Sequence, residues 1–425
     1  MAVVILGGYG QFGLPTAKQL VNDPLVDEVV IAGRDASRAA QAATEVGPRA
    51  RALRLDADDP GEVRAALGPG DVLLSMMWDH DRYLEPLAGA AVRAGAHYCD
   101  MGSPLPSETL DAAARAAGVT VLIGVGSSPG LTELTQKWAL GMLDEVDHTV
   151  TGFVWAPLQD IWDDLYRAYV KLPGDLDRGP HGRELRTVLA GPASVEERLA
   201  VLRDGLVVEL NLTRLVSGEK PAQIIPVVRD GRLVLVDPVA DGVDVPLVTG
   251  GFTSVPVLYA LPDEAVAGAP STYTSIPGLS RAFVALIHAT AARVRADELT
   301  YDEAVAEVRD ALASDLDAHL LDPALFARLP GEFCTAYGRS SGRSARASTW
   351  FPQQWYTPQN WLDMTAANVA MSVTRLLNGR ITERGALRLA DADTLDEAYL
   401  AELESRMPFR PAGVPFVDRG LELLG

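Results

Sequence analysis

Residues 1–125 alternate short apolar runs with longer stretches of helical period. Ala2–Leu6 is apolar throughout, the pattern of a strand buried on both faces. Leu14–Val21 follows with helical spacing and carries Pro15 in its first turn, where a missing N–H costs nothing. The alternation then continues. Strands are predicted over Glu28–Ala32, Ala50–Leu55, Val72–Met76, His97–Asp100 and Val119–Val125. Helices are predicted over Ser37–Glu45, Pro60–Leu67, Tyr83–Ala94 and Leu110–Ala117. A β-α-β order repeated in this way predicts an α/β fold with a doubly wound parallel sheet of Rossmann type.

After Gly130 the period changes. Leu131–Leu143 reads as a helix, whereas Asp147–Trp155 and Val207–Leu215 alternate like strands with one solvated face. Ile224–Val228 and Leu233–Val236 flank Asp230-Gly231, a hairpin dipeptide. Val243–Val248 and Pro256–Ala260 extend the strand-rich stretch, and Ala282–Ala296 and Tyr301–Leu312 are helical. The expected organisation is a Rossmann domain over 1–130 and an inserted α+β domain with a mixed or antiparallel sheet over 131–355. A helical segment over 356–425 then returns to the Rossmann domain. Within it, Asn360–Asn378 is a long amphipathic helix stopped by Gly379, and Asp391–Glu404 is acidic and helical.

Composition narrows the function. The 425 residues are enough for two folded units, and 48% apolar residues build large cores. Lys+Arg of 37 against Asp+Glu of 57 leaves a net charge of −20, which repels nucleic acid and anionic lipid. There is no apolar run of about 18 residues to span a membrane. No basic segment precedes the apolar stretch that ends at Gly7, so a cytoplasmic location is expected. Cys99 and Cys334 are too few for a disulfide framework or a thiolate zinc site. The 6 histidines form no HExxH array, and no metal is expected.

Gly8-Tyr9-Gly10-Gln11-Phe12-Gly13 is a GxGxxG that follows the first strand and opens the first helix, the context a dinucleotide needs. Gly8 permits the tight turn, Gly10 lets backbone approach a pyrophosphate, and Gly13 lets helix pack on strand, while the helix N-terminus faces the anion. An NAD-type site places an acid about 20 residues on, for the ribose 2′-OH. Here that position reads Gly33-Arg34-Asp35-Ala36-Ser37-Arg38. Arg34, Ser37 and Arg38 suit a 2′-phosphate, so the expected cofactor is NADP, with NAD as the lesser alternative. A shift of one residue would make Asp35 the acid. Asp56 and Asp58, after the third strand, are either adenine contacts or solvated loop acids.

With those residues in place, the chain resembles the saccharopine dehydrogenase-like family. The resemblance lies in Val4–Gly13, in Ala32-Gly33-Arg34, in Tyr98-Cys99-Asp100, in Gly124–Gly130, and in Met364–Ala370 with Leu377-Asn378-Gly379. The family includes saccharopine-forming and saccharopine-cleaving enzymes, lysine 6-dehydrogenases, and carboxyspermidine and homospermidine enzymes. The resemblance implies a Rossmann domain, an inserted substrate and dimerisation domain, and reversible reduction of a C=N bond formed from an amine and a carbonyl. It implies a homodimer and a place in amino-acid metabolism. Two departures count. Ser128-Pro129-Gly130 stands where family members commonly read Asp-Pro-Gly, and Ser275–Leu279 lacks the Arg and His of the family's Arg-Tyr-Pro-Gly-His motif. A different amine, or a less anionic substrate, is therefore expected.

In open α/β sheets ligands sit beyond the carboxyl ends of the strands, so the candidates follow the fourth, fifth and sixth strands. Ser75 and Met76 should border the nicotinamide ribose. His80 lies between Asp79 and Asp81, neighbours that favour its protonated form, and is the candidate proton-handling group together with Asp100. Tyr98, Ser103, Ser127 and Ser128 are candidate substrate contacts. Cys99 reads as a packed small residue, not a nucleophile. In the second domain, Trp155, Trp162, Tyr166, Tyr169 and Lys171 suit the wall of a substrate cleft, with Lys171 a further catalytic candidate. Arg339, Arg343 and Arg346 sit in a Gly/Ser-rich stretch and form a candidate lid, with Arg343 the candidate carboxylate clamp. The leading expectation is an NADP-dependent oxidoreductase acting on a C–N bond. A reductase of C=C or C=O on the same scaffold and a non-catalytic NADP-binding protein are the alternatives.

Overall fold

The structure is a computed structural model. It describes residues 1–77, 80–102, 105–127, 129–155, 225–229, 232–236, 271–277, 296–315, 330–356, 360–392 and 396–424, with a few more between 286 and 318.

The chain begins with β1 (Ala2–Leu6), α1 (Gly13–Leu20), β2 (Glu28–Gly33), α2 (Ala36–Val46), β3 (Ala50–Arg54) and α3 (Pro60–Ala65). It continues through β4 (Val72–Ser75), α4 (His80–Ala94), β5 (His97–Asp100), α5 (Glu108–Ala117), β6 (Thr120–Ile123) and α6 (Leu131–Leu140). A second series comprises β7 (Glu145–Trp155), β8 (Ile225–Arg229), β9 (Arg232–Val236), β10 (Ser271–Pro277), α7 (Tyr301–Ser314), β11 (Pro330–Ser340) and β12 (Arg343–Pro352). The chain then forms α8 (Asn360–Leu377), β13 (Gly385–Arg388), α9 (Glu397–Arg406) and β14 (Asp418–Leu423).

Two compact units result. The first comprises Met1–Lys137 and Asn360–Arg410, the second Trp138–Gln359 and Pro411–Gly425. The first is a 7-stranded sheet in the order β13-β6-β5-β4-β1-β2-β3. All its pairs are parallel. Continuous apolar strands build such a sheet because helices cover both faces. Val3 to Ile5, Val29 to Ile31 and Val72 to Leu74 are fully buried. On one face Val4, Leu6, Val30, Ala32, Leu73 and Tyr98 pack with Val63 of α3, Leu84 and Leu87 of α4, and Leu110 of α5. Within α8, Met364, Ala366, Ala367, Val369, Ala370, Met371 and Val373 are all buried, so it is a core helix and not an amphipathic one. β13 was not anticipated: Gly385–Arg388 is too short and too polar for its strand period to show.

The second unit is built on a 5-stranded sheet in the order β10-β7-β11-β12-β14. Its pairs are antiparallel except β10 with β7, which makes the sheet mixed. The β8–β9 hairpin turns between Arg229 and Arg232, where Asp230-Gly231 predicts it. The expectation of a Gly/Ser-rich loop around Arg339, Arg343 and Arg346 is corrected. Those residues lie on two long paired strands, and only Ser341 and Gly342, at φ 51 and φ 74, form the turn. Two successive left-handed residues match the twist of a hairpin, and Ser-Gly is a weaker cue for it than Asn-Gly. The expected return of the whole tail to the first unit is also corrected, because β14 pairs with β12. The strands expected at Val207–Leu215, Val243–Val248 and Pro256–Ala260 lie outside the described residues. Among the described residues no helix is long and apolar enough to cross a membrane.

Candidate functional site

Backbone hydrogen bonds pin the glycine loop to its neighbours. The Gly7 N–H donates to the Ala32 carbonyl at 3.0 Å and the Gly10 N–H to the Gly7 carbonyl at 2.8 Å. The tight turn is made by Gly7, at φ 76, and not by Gly8 as the motif suggests. A Cβ on Gly13 would lie 2.3 Å from the Gly7 carbonyl oxygen, so only a glycine lets α1 start this close to the loop. No side chain caps α1 at Phe12, whose own side chain is buried, and Gln11 stands half-exposed beside it. A helix that starts directly behind a glycine loop without a side-chain cap is an anion site, and it fits the pyrophosphate of a dinucleotide.

At the end of β2, Arg34, Ser37 and Arg38 are exposed. Asp35 turns its carboxylate back onto the head of α2, where Oδ1 accepts from the Ser37 and Arg38 N–H groups at 3.0 Å each. It is therefore a helix cap. The Tyr9 ring lies over Gly33, where a Cβ would come within 2.5 Å of it, and the Arg38 guanidinium stacks 4.7 Å from the Tyr9 ring centroid. The Tyr9 hydroxyl accepts from the Asp35 N–H at 3.3 Å. At the end of β3, Asp56 accepts from the Asp58 N–H at 3.1 Å and shapes the turn into α3. Asp58 pairs with Arg82 of α4 at 2.5 Å. The charge available to a cofactor at the end of β2 is thus positive, which fits NADP(H).

The other end of the cleft is set by β4, β5 and β6. Ser75 and Met76 are buried, and the Met76 N–H donates to the Leu6 carbonyl at 2.9 Å beneath the glycine loop. The Tyr98 phenol donates to Asp100 Oδ2 at 2.8 Å, while Asp100 Oδ1 accepts from the Gly102 N–H at 2.7 Å. Tyr98 is fully buried among the core aliphatics and so braces Asp100 from below, a correction to its expected role as a substrate contact. Burial, and then the Asp100 charge, push the Tyr98 phenol well above its ordinary range. Cys99 is packed on the opposite face as expected, and burial pushes its thiol up.

The Ser127 carbonyl accepts from the Leu131 and Thr132 N–H groups at 2.7 and 3.1 Å and starts α6. The loop before it is held from the far end of the sequence. Asn368 of α8 donates to the Val125 and Gly126 carbonyls at 3.0 and 2.8 Å and accepts from the Tyr399 hydroxyl of α9 at 2.6 Å. Glu133, which the motifs did not single out, sits buried at the head of α6. It accepts from the Gly130 N–H and from the Thr132 hydroxyl, the latter at 2.9 Å. Burial raises its carboxyl, against those hydrogen bonds and the Arg388 charge. In sequence an acid at the third position of a helix reads as a cap; what sets this one apart is burial.

Of the remaining candidates, His80 opens α4 and Trp155 ends β7, with their side chains outside the described residues. Ser103, Ser128 and Lys171 lie outside them too, as do Trp162, Tyr166 and Tyr169. Arg343 is exposed at the start of β12, in the second unit.

Sheet topology, glycine loop and basic β2 end together define a Rossmann domain suited to NADP(H). Residues 3–122 match the family model of the saccharopine dehydrogenase NADP-binding domain, which supports an NADP-binding oxidoreductase. A trans-acting enoyl reductase of Mycobacterium leprae (strain TN) is 29% identical over 137 residues. That match covers 30% of this chain and 33% of the relative, so the chain spans about a third of that protein's length. An apo saccharopine dehydrogenase (L-Glu forming) from Saccharomyces cerevisiae superposes over 100% of both chains with a TM-score of 0.53 and 13% identity, which shows the shared fold. A homospermidine synthase from Legionella pneumophila is 10% identical over 100% of this chain and 91% of its own, with a TM-score of 0.44.

Proposed function

We propose that this NADP-binding oxidoreductase acts on a carbon–nitrogen bond, joining an amine to a carbonyl reductively or running the reverse oxidation. The observation that carries the cofactor side is the capping role of Asp35, which leaves Arg34 and Arg38 to meet a 2′-phosphate. The substrate side is supported by the resemblance at both ends of the chain, and by a fold that a saccharopine dehydrogenase shares along its whole length. When bound, NADPH supplies the hydride. The chain's residues do the rest. The loop held by Asn368 presents the head of α6, while Glu133, Asp100 and His80 are the groups proposed to hold or move a proton at the carboxyl edge of β4 to β6.

The test is NADPH consumption, with products identified by mass, across mixtures of amines with aldehydes and 2-oxo acids, set against enoyl and ketone acceptors that lack nitrogen. A new secondary amine supports the proposal. Turnover on nitrogen-free acceptors alone overturns it in favour of C=C or C=O reduction, the reading that the enoyl reductase relative favours. Tight NADPH binding without turnover on either set also overturns it and supports a non-catalytic binder.

A further inference from the structure

We propose that Arg82 is a third arginine of the adenosine 2′-phosphate pocket, held by Asp58 until NADP(H) enters, and hence a determinant of cofactor choice. The inference rests on the NADP reading above and extends it to a residue outside the β2 signature. The ends of β2 and β3 are joined by the Leu55 N–H to Gly33 carbonyl bond at 3.0 Å, so the Asp56–Asp58 turn starts beside Gly33-Arg34. Arg82, on the first turn of α4, reaches across to Asp58 Oδ1 at 2.5 Å and lies 5.0 Å from the centroid of its neighbour Tyr83. Burial, and then the Asp58 charge, raise the Tyr83 phenol, while the Arg82 and Arg34 charges both act to lower it, so both guanidinium groups lie within electrostatic reach of that ring. Arg38, on the first turn of α2, stacks on Tyr9, whose ring lies over Gly33.

The electrostatics favour an exchange of partners. The side chains of Arg82 and Asp58 are 54% and 43% exposed, and a pair that exposed is weak. A phosphate offers up to two negative charges and three acceptor oxygens, and outcompetes one carboxylate for a guanidinium. A ribose 2′-hydroxyl offers no charge, so Arg82 gains nothing from NAD(H). With Arg34 and Arg38 exposed at the end of β2, Arg82 supplies the charge that offsets Asp58, which would otherwise repel the phosphate.

The experiment is calorimetric titration of the full chain with NADP⁺, NAD⁺, 2′,5′-ADP and 5′-AMP. Arg82→Ala should weaken NADP⁺ and 2′,5′-ADP about tenfold or more and leave NAD⁺ and 5′-AMP within twofold. Asp58→Asn, which removes the carboxylate charge that competes with the phosphate, should tighten NADP⁺ two- to threefold. Arg82→Lys should recover part of the loss and guards against an Arg82→Ala variant that fails to fold. Equal weakening of NADP⁺ and NAD⁺ by Arg82→Ala, or no weakening of either, overturns the proposal. If Arg34→Ala abolishes NADP preference while Arg82→Ala does not, the NADP reading stands and this inference alone fails. If the parent binds NADP⁺ and NAD⁺ equally, both fail.

Discussion

Replacing Gly13 by alanine separates the two tasks of the glycine loop from a comparison at Gly10. At Gly13 the added Cβ would sit 2.3 Å from the Gly7 carbonyl oxygen and 2.7 Å from the Gly8 Cα. Comfortable contact is about 3.5 Å, so backbone must move by roughly 1 Å. Neither neighbour yields easily, because Gly7 is tied to Ala32 and Gly8 to Ile5 by hydrogen bonds. Overpacking of this kind costs about 1–3 kcal/mol, offset by about 0.5–1 kcal/mol of improved helix propensity. The net cost is up to about 2.5 kcal/mol, so the first unit should melt up to about 10 °C lower, and NADPH affinity should fall with it as α1 is pushed off the loop. At Gly10 a Cβ meets only the Gly7 carbonyl oxygen, at 3.0 Å, and otherwise open space. Gly10→Val should keep the parent's melting temperature yet lose about a hundredfold in NADPH affinity, about 2.7 kcal/mol, because the side chain fills the pyrophosphate position. Calorimetric melting and fluorescence titration with NADPH decide it. A Gly13→Ala protein that melts and binds like the parent, or a Gly10→Val protein within twofold in affinity, would refute the reasoning.

Arg34→Ala should remove most of an NADPH over NADH preference of about tenfold, about 1.4 kcal/mol, read as the ratio of the two dissociation constants. Asn368→Ala strips the Val125 and Gly126 carbonyls and the Tyr399 hydroxyl of a buried partner. It should cost about 2–4 kcal/mol in urea unfolding, with Tyr399→Phe costing about 1 kcal/mol. His97 accepts the Thr120 N–H through Nδ1 at 3.1 Å, and burial, with the Arg384 charge second, holds its pKa below the ordinary value of 6.5. A group depressed in this way lets the unfolded chain take up the proton first. Its stabilisation is therefore complete above about pH 6.5 and lost as pH falls below it. His97→Gln should flatten that part of a stability–pH curve, and an unchanged slope would remove His97 as its source. The homodimer that the family resemblance implies predicts twice the monomer mass by light scattering at micromolar concentration; a monomer mass overturns it.

The parallel sheet was legible because its strands are buried on both faces and read as unbroken apolar runs such as Ala2–Leu6. The basic end of β2 was legible because charge is local: Arg34, Ser37 and Arg38 follow Gly33 directly. What lay hidden depends on distant pairing. Gly385–Arg388 becomes a strand because β6 offers it an edge, and nothing in its four residues says so. Tyr98 reads as a cleft aromatic from its place after a strand, yet its face of β5 turns into the core. Glu133 carries an ordinary capping pattern, and its burial is invisible until α6 is packed. The long strands on either side of Ser341-Gly342 escaped because Arg339, Arg343 and Arg346 break the apolar alternation with charges. Of these, Arg346 is paired with Glu422 at 2.6 Å.

The last strand of the first sheet is made more than 260 residues after β6, the strand it pairs with. While the chain is being synthesised, β6 therefore waits with Thr120–Ile123 unpaired along one edge, and the buried faces of α8 have yet to be made. Such an edge is a template for aggregation. The order of folding is consequently set by chain length. The β1 to β5 side consolidates early, and the β6 side, with Glu133 and the loop that Asn368 clamps, closes only when residues 360–388 arrive. A fragment ending at Lys137 would expose that apolar edge permanently. A permuted chain that places residues 360–410 ahead of Met1 would present every strand of the sheet before the second unit is translated, and should fold faster and with less aggregation than the natural order.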